Sequence, residues 1–190
     1  MKALILNGLS KQEATNSKTY DYLEECLKNS NYETKARTLC EEKIAPCLGC
    51  FGCWLKTPGQ CVIKDDASTL PQDVMGSDLL VYLTPVTFGM YSSELKKALD
   101  RFTCPILLPF FETVNGEIHH SGRYQKYPKI IAIGTLESQD CESEKTFKTL
   151  VARNAINFHT KAASCIIYST DKPEGIKQKI STILPVGGEN

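Results

Sequence analysis

Four short apolar runs, Ala3–Asn7, Leu79–Thr84, Ile130–Gly134 and Cys165–Tyr168, show no polar alternation. A strand with one wet face alternates apolar and polar residues, whereas a strand covered on both faces does not. These runs therefore predict a parallel sheet held between two layers of helices. A further segment, Glu33–Leu39, alternates charged and smaller residues and suits a half-exposed edge strand. Helical patterns fill the gaps. Tyr20, Leu23 and Leu27 share a face, with Asn16 or Ser17 placed to cap it. Leu95, Leu99 and Phe102 repeat behind Ser92 or Ser93, and Phe147, Leu150, Val151 and Asn154 form a third stripe. A last helix opens on Asp171 and Pro173, buries Ile176, Ile180 and Ile183, and stops at Pro185. Strands alternating with helices give a doubly wound α/β fold. Right-handed crossovers, with the alternating strand at an edge, favour the five-stranded order 2-1-3-4-5. At 190 residues and 42% apolar content, the chain can bury one full core and reads as a single domain over 1–190.

The stretch Cys104–Tyr127 fits none of these elements. It holds Phe110, Phe111, His119, His120 and Tyr124, and a connection that long is expected to be functional or to form an oligomer contact. The adjacent His119 and His120 are expected to be solvated surface.

Charge excludes some partners. Lys plus Arg number 22 and Asp plus Glu 22, so no net field draws the chain to nucleic acid or an anionic membrane. No apolar run approaches the roughly 18 residues of a membrane span. The opening run Met1–Asn7 is too short for a secretory signal, which makes a cytoplasmic, reducing setting the expectation. In that setting the nine cysteines are metal ligands, redox groups or core fillers rather than a disulfide framework. Five of them, Cys26, Cys40, Cys104, Cys141 and Cys165, are scattered and read as ordinary small residues.

In an open α/β sheet, ligands bind where strand order reverses, beyond the carboxyl ends of strands 1 and 3. The first of the two loops there runs from Gly8 to Ser17. Ser10, Lys11, Asn16 and Ser17 offer hydroxyls, an amide and a charge at the entry to a helix, a setting that suits a phosphate. Its single glycine excludes a Walker loop and a dinucleotide fingerprint, so a mononucleotide is the better match. The second loop, Thr84-Pro85-Val86-Thr87-Phe88-Gly89, is apolar enough to pack on a flat ring while its backbone reads the ring's polar edge. A capped turn without ligand would use the same residues.

The remaining four cysteines form a cluster: Cys47-Leu48-Gly49-Cys50-Phe51-Gly52-Cys53, then Cys61 after seven residues. Thiolates so close repel unless a cation neutralises them, and Gly49 and Gly52 permit a tight curl. The spacing is like runs that wrap one iron–sulfur cluster. Zinc and a reactive or structural thiol loop remain open as alternatives.

Three segments carry a resemblance. They are Pro46 to Trp54, Thr57 to Asp66 (Thr-Pro-Gly-Gln-Cys-Val-Ile-Lys-Asp-Asp), and Thr84 to Gly89 with Leu95-Lys96-Lys97-Ala98-Leu99-Asp100-Arg101. With the first strand they span about the first 105 residues. Together they resemble the iron–sulfur flavoprotein and NAD(P)H-dependent FMN reductase group of flavodoxin-like proteins. That resemblance implies noncovalent FMN at the two loops and homodimers or homotetramers with flavin near subunit contacts. It also implies electrons from NAD(P)H or ferredoxin, and a 4Fe–4S cluster on Cys47, Cys50, Cys53 and Cys61. The loop follows the edge strand, so the cluster is expected on the flavin's side of the sheet. The family's usual Gly-Ser-Pro-Arg opening is replaced by Gly8-Leu9-Ser10-Lys11, which predicts a weaker hold on FMN. The sequence thus reads as an FMN-dependent oxidoreductase with a cysteine loop at 44–63 and an insertion at 104–127. An FMN or quinone reductase without a cluster is the first alternative, and a non-catalytic binding module of the same fold is the second.

Overall fold

The computed structural model describes residues 1–16 and 18–185, apart from the side chains at 14–16. The chain runs β1 (Lys2–Asn7), α1 (Lys11–Asn16), α2 (Thr19–Asn29), β2 (Glu33–Thr38), α3 (Gly52–Leu55), α4 (Leu70–Met75), β3 (Leu79–Pro85) and α5 (Ser93–Ile106). It continues through β4 (Leu107–Val114), β5 (Glu117–Gly122), β6 (Lys129–Leu136), α6 (Cys141–Asn157), β7 (Ala162–Tyr168) and α7 (Pro173–Ile183). Five strands form one parallel sheet in the order β2-β1-β3-β6-β7. Counting only sheet strands, this is the expected 2-1-3-4-5, and the fold is flavodoxin-like.

The apolar runs behave as fully covered strands. In β3 every residue from Leu79 to Thr84 is buried. Its alternate side chains feed opposite layers, Leu80 and Tyr82 toward α5 and α6, Leu79, Val81 and Leu83 toward α2 and α7. Leu95, Ala98, Leu99 and Phe102 of α5 complete the first layer, and Leu23, Leu27, Ile176 and Ile180 the second. Each large side chain so buried contributes about 1.5–3 kcal/mol. The alternating segment is the edge strand β2, half-exposed as expected.

Local details differ from the expectation in three places. The first loop is not irregular throughout, because Lys11–Asn16 winds into α1. Lys18 holds the N-cap position of α2 with no side-chain cap bond, while Ser17 and the Asn16 side chain lie outside the described residues. Asp171 does not cap α7. Lys172 holds that position, and Asp171 instead accepts from the Tyr168 amide at 2.8 Å and from Lys179 Nζ at 2.6 Å. Cap formation at Ser92 is as expected, its Oγ accepting from the Leu95 amide at 3.3 Å.

The stretch after Cys104 finishes α5 and then forms an antiparallel hairpin, β4 with β5, pairing Phe111 with His120 and Val114 with Glu117. Asn115 (φ 52°) and Gly116 (φ 81°) make its turn, the left-handed pair that a two-residue hairpin requires. The two histidines are not free surface. His119 is buried, its ring bonded to Asn157 Oδ1 (2.8 Å) and Glu117 Oε2 (3.1 Å). His120 donates through Nδ1 to the Leu108 carbonyl at 3.0 Å and lies between Trp54 and Phe111. Among the described residues no helix is long and apolar enough to cross a membrane.

Candidate active site

A crevice of about 1190 Å³ lies beyond the carboxyl ends of β1, β3, β6 and β7. This is the switch point that sheet order alone designates. Both expected loops border it, and the loops after β6 and β7 add a second wall.

The first loop is anchored by close approach. Gly8 donates its N–H to the Leu83 carbonyl at 2.7 Å, and Ser92 Oγ donates to the Gly8 carbonyl at 2.7 Å. A Cβ on Gly8 would lie 2.7 Å from Ser92 Oγ and 2.9 Å from Leu95 Cβ, so only glycine lets this loop touch the head of α5. Ser10 and Glu13 then form a reciprocal cap on α1. Glu13 Oε2 accepts from the Ser10 amide at 2.9 Å, and Ser10 Oγ accepts from the Glu13 amide at 3.2 Å. Both residues line the crevice. Lys11 borders the same turn and is engaged in an interaction of its own.

Thr84 organises the second loop from below rather than lining it. It is fully buried, its Oγ1 donating to the Pro85 carbonyl and accepting from the Ser92 amide, both at 2.9 Å. Pro85, Val86 and Thr87 face the crevice. Phe88 and Gly89 do not line it. They form a tight turn closed by reciprocal Thr87–Met90 bonds of 3.1 and 2.9 Å, with Phe88 92% exposed at its tip. Gly89 (φ 75°) packs so closely that a Cβ would lie 2.5 Å from Thr146.

The walls absent from the sequence reading are Thr135–Asp140 after β6 and Ile167–Asp171 after β7. Tyr168 lies there with Lys179 Nζ 4.7 Å above its ring, and its hydroxyl donates to Glu144. That hydrogen bond holds the phenol up at about 12. Among the described residues lining the crevice are four carboxylates, Glu13, Glu137, Asp140 and Asp171, and one cationic side chain, Lys18. Asp171 is paired with Lys179 and Asp140 caps α6, while Glu13 faces the crevice from the first loop.

The space accommodates a flat ring between Pro85–Thr87 and the loops opposite. At the phosphate end, the Ser10 amide is already satisfied by a carboxylate. A phosphate fits there only when Glu13 moves aside.

The cysteine loop is a separate construction. Its two stems are tied to α5 by Arg101, which is only 1% exposed. Arg101 donates twice to Asp65 (2.6 and 2.9 Å), to the Ala45 carbonyl (2.8 Å) and to the Ile63 carbonyl (3.2 Å). Burial raises the Asp65 carboxyl, but the Arg101 bonds and the Ala45 and Ala67 amides outweigh it and hold it below its ordinary value. Trp54 presses the loop onto the tail of α5, donating Nε1 to the Cys104 and Leu107 carbonyls at 2.7 and 3.1 Å.

Cys104, scattered in sequence, belongs to this loop in space. Burial pushes its thiol up to about 12, with Cys53 and Cys47 adding to the effect and Cys53 within hydrogen-bonding reach. Burial likewise raises Cys53, with the neighbouring Cys61, Cys47 and Cys50 adding to the effect. The Cys61 sulfur lies beside the Arg101 guanidinium. The donor set is all thiol, as an iron–sulfur cluster requires. Among the described residues, however, no three such side chains converge to hold a metal ion. The loop as folded does not fit a cluster.

Nor does the loop stand beside the crevice of its own chain. It contributes no lining residue. The first crevice loop meets the head of α5 at Ser92, while the cysteine loop docks at Cys104, about 18 Å farther along the helix.

Comparison with known proteins agrees with this architecture. The chain is similar to an iron–sulfur flavoprotein of Archaeoglobus fulgidus, 32% identical over 101 residues, covering 53% of this chain and 45% of that protein. It is also similar to one of Methanocaldococcus jannaschii, 28% identical over 101 residues, covering 53% and 51%. The chain thus spans about half the length of the curated relatives it matches. The NAD(P)H:quinone oxidoreductase of Methanothermobacter marburgensis shares the fold at a TM-score of 0.70, with 10% identity and coverage of 96% and 94%. An FMN-dependent NADH-azoreductase of Bacillus anthracis, solved with FMN, shares it at 0.61, with 16% identity and coverage of 95% and 94%. A family model described as NADPH-dependent FMN reductase matches residues 1–125, which include both crevice loops first read from the sequence and the whole cysteine loop. On that match the chain belongs to the NADPH-dependent FMN reductase family.

Proposed function

We propose that this chain is an FMN-dependent oxidoreductase that binds flavin at the switch-point crevice and takes electrons from NAD(P)H or a ferredoxin. The observation that carries the reading is the crevice itself, with an apolar ring-sized wall at Pro85–Thr87 facing the polar first loop. Bound flavin supplies hydride or electron acceptance; the chain supplies placement and electrostatics. Thr84 fixes the backbone of the ring-facing loop, and Pro85, Val86 and Thr87 face the ring. Ser10 and Lys11 are assigned to the phosphate end, together with Asn16 and Ser17 as candidates from the sequence. The substrates are small acceptors of the quinone type, and the setting is the cytoplasm.

A fuller form of the reading adds a 4Fe–4S cluster on Cys47, Cys50, Cys53 and Cys61. The all-thiol donor set and the names of the curated relatives support it. The loop must close for those thiols to converge, so the simpler reductase without a cluster remains the second reading. One preparation tests both. Protein purified without oxygen and supplied with FMN is expected to hold about one FMN per chain. With a cluster it also holds about four iron and four sulfide, lost in Cys50→Ala. Iron below one per chain removes the cluster. Failure to retain FMN even when reconstituted removes the oxidoreductase.

The reading also includes a homodimer or homotetramer. Leu48, Phe51 and Leu55 of the cysteine loop and Phe111 and Ile118 of the hairpin are exposed. The rings of Phe51, Trp54, His120 and Phe111 link loop to hairpin in one row of ring contacts, stacked at Phe51–Trp54 and tilted beyond it. A continuous apolar face of this kind marks an interface. A second copy is also what would bring a crevice up to a cysteine loop. Light scattering at micromolar concentration is expected to give a multiple of the 21.1 kDa chain, reduced by Phe111→Asp. A monomer mass for the unaltered chain counts against it.

A further inference from the structure

The thiols gathered at the cysteine loop are not equivalent. Cys47 and Cys50 are exposed, and the Cys61 sulfur lies beside the Arg101 guanidinium. Cys53 and Cys104 are half-buried and within hydrogen-bonding reach of one another. Among the described residues no three thiols, histidines or carboxylates converge to hold a metal ion. The contact built here is for two sulfurs.

Both members of the pair are held by the chain around them. Trp54, next to Cys53 in α3, donates Nε1 to the carbonyl of Cys104 itself at 2.7 Å and to that of Leu107 at 3.1 Å. The Cys53 carbonyl accepts from the Gly59 amide at 3.0 Å. Gly52, on the other flank, packs so closely that a Cβ would lie 2.5 Å from Val62 Cγ1. Arg123 fixes the tail of α5, donating Nε to the Pro105 carbonyl at 2.9 Å and Nη2 to the Leu107 carbonyl at 3.3 Å. Two sulfurs pinned in this way on separate helices have little freedom left to lose when they join.

We propose that Cys53 and Cys104 are a modification site, where an oxidant of the hydroperoxide class forms a reversible disulfide that locks the cysteine loop to the tail of α5. The Cys53 sulfur attacks the peroxide O–O bond and becomes a sulfenic acid, releasing one water. The Cys104 sulfur then displaces a second water and closes the S–S bond. Two thiols and one hydrogen peroxide thus give one disulfide and two waters, and a dithiol reductant reverses the change. Burial keeps both sulfurs as thiols, so the reaction is slow and proximity, not nucleophilicity, selects the pair. The bond withdraws Cys53 from the four thiols of the cluster reading, so disulfide and cluster exclude each other. The pair itself stands without that reading.

Peptide mapping tests it. Purified protein, freed of iron by a chelator and then of reductant, is exposed to a small excess of hydrogen peroxide. Its remaining thiols are alkylated, and it is digested without reduction. The first cross-linked peptides are expected to join Cys53 to Cys104, lighter by the two hydrogens lost, and to separate on adding dithiothreitol. The bond closes about fifty residues of chain, so the oxidised protein is expected to melt about 5 °C or more above the reduced protein. Cys104→Ser is expected to abolish both the cross-link and the rise. A first disulfide joining Cys53 to Cys47, Cys50 or Cys61 overturns the proposal, as does oxidation of the thiols with no cross-link to Cys104.

Discussion

Replacing Arg101 by Leu is expected to destabilise the protein by about 3–5 kcal/mol, lowering the melting temperature by about 10 °C. The guanidinium is buried and makes four hydrogen bonds, two of them to Asp65, whose side chain is 12% exposed. Removing it leaves that carboxylate without its cation and cuts both stems of the cysteine loop from α5. Leucine refills the volume, so the loss reflects the stranded charge and not a cavity. The pH dependence follows from the direction of the Asp65 shift. Its folded carboxyl lies below its ordinary value, so the stabilisation is complete above about pH 4 and is lost as pH falls through the folded value. Thermal unfolding from pH 7 to pH 2.5 is therefore expected to show a wide gap between Arg101→Leu and the unaltered chain, closing toward the acid end. A gap that stays constant with pH would mean that Asp65 is not the group left unpaired. Arg101→Lys keeps the charge but not the bidentate fork, and should fall between.

Gly8→Val acts at the other end of α5. The Cβ it introduces meets Ser92 Oγ at 2.7 Å and Leu95 Cβ at 2.9 Å, and the two further methyl groups have no room. The first loop must lift from the head of α5, breaking the 2.7 Å bond from Ser92 Oγ. Overpacking of this kind costs about 1–3 kcal/mol, seen as a melting temperature several degrees lower. Because the loop borders the crevice, flavin affinity should fall at least about tenfold while the sheet stays folded by circular dichroism. Unchanged flavin binding in a folded Gly8→Val protein would place the flavin elsewhere.

The sheet was legible because covered strands have to be apolar on both faces. Leu79–Thr84 can be satisfied in few other ways, and the charged alternation of β2 fits only an edge. The hairpin was equally available and went unread. Asn115-Gly116 is the strongest short hairpin signal a sequence offers, but Phe110 and Phe111 beside Pro109 blurred the alternation that would have framed it. Ser10-Lys11-Gln12-Glu13 is likewise a capping box in plain sequence, which predicts a helical turn in place of a phosphate cradle. The crevice loops after β1 and β3 followed from the switch-point rule. Those after β6 and β7 carry no motif, only acids and hydroxyls, and topology alone brings them in. Cys104 could not be joined to the cysteine loop from spacing, since the contact spans α5 and depends on Trp54 turning its indole onto the helix tail. The role of Arg101 was hidden for the same reason. A basic residue in a helix reads as surface until its partners, 36 residues back at Asp65 and 56 back at Ala45, are placed around it.

The most direct measurement is a crystal structure of the FMN-reconstituted protein. The flavin ring is expected against Pro85–Thr87 at the carboxyl ends of β1 and β3, with the loops after β6 and β7 closing the far side. A ring bound stoichiometrically anywhere else, or a crevice left empty in protein that carries one FMN per chain, would contradict it.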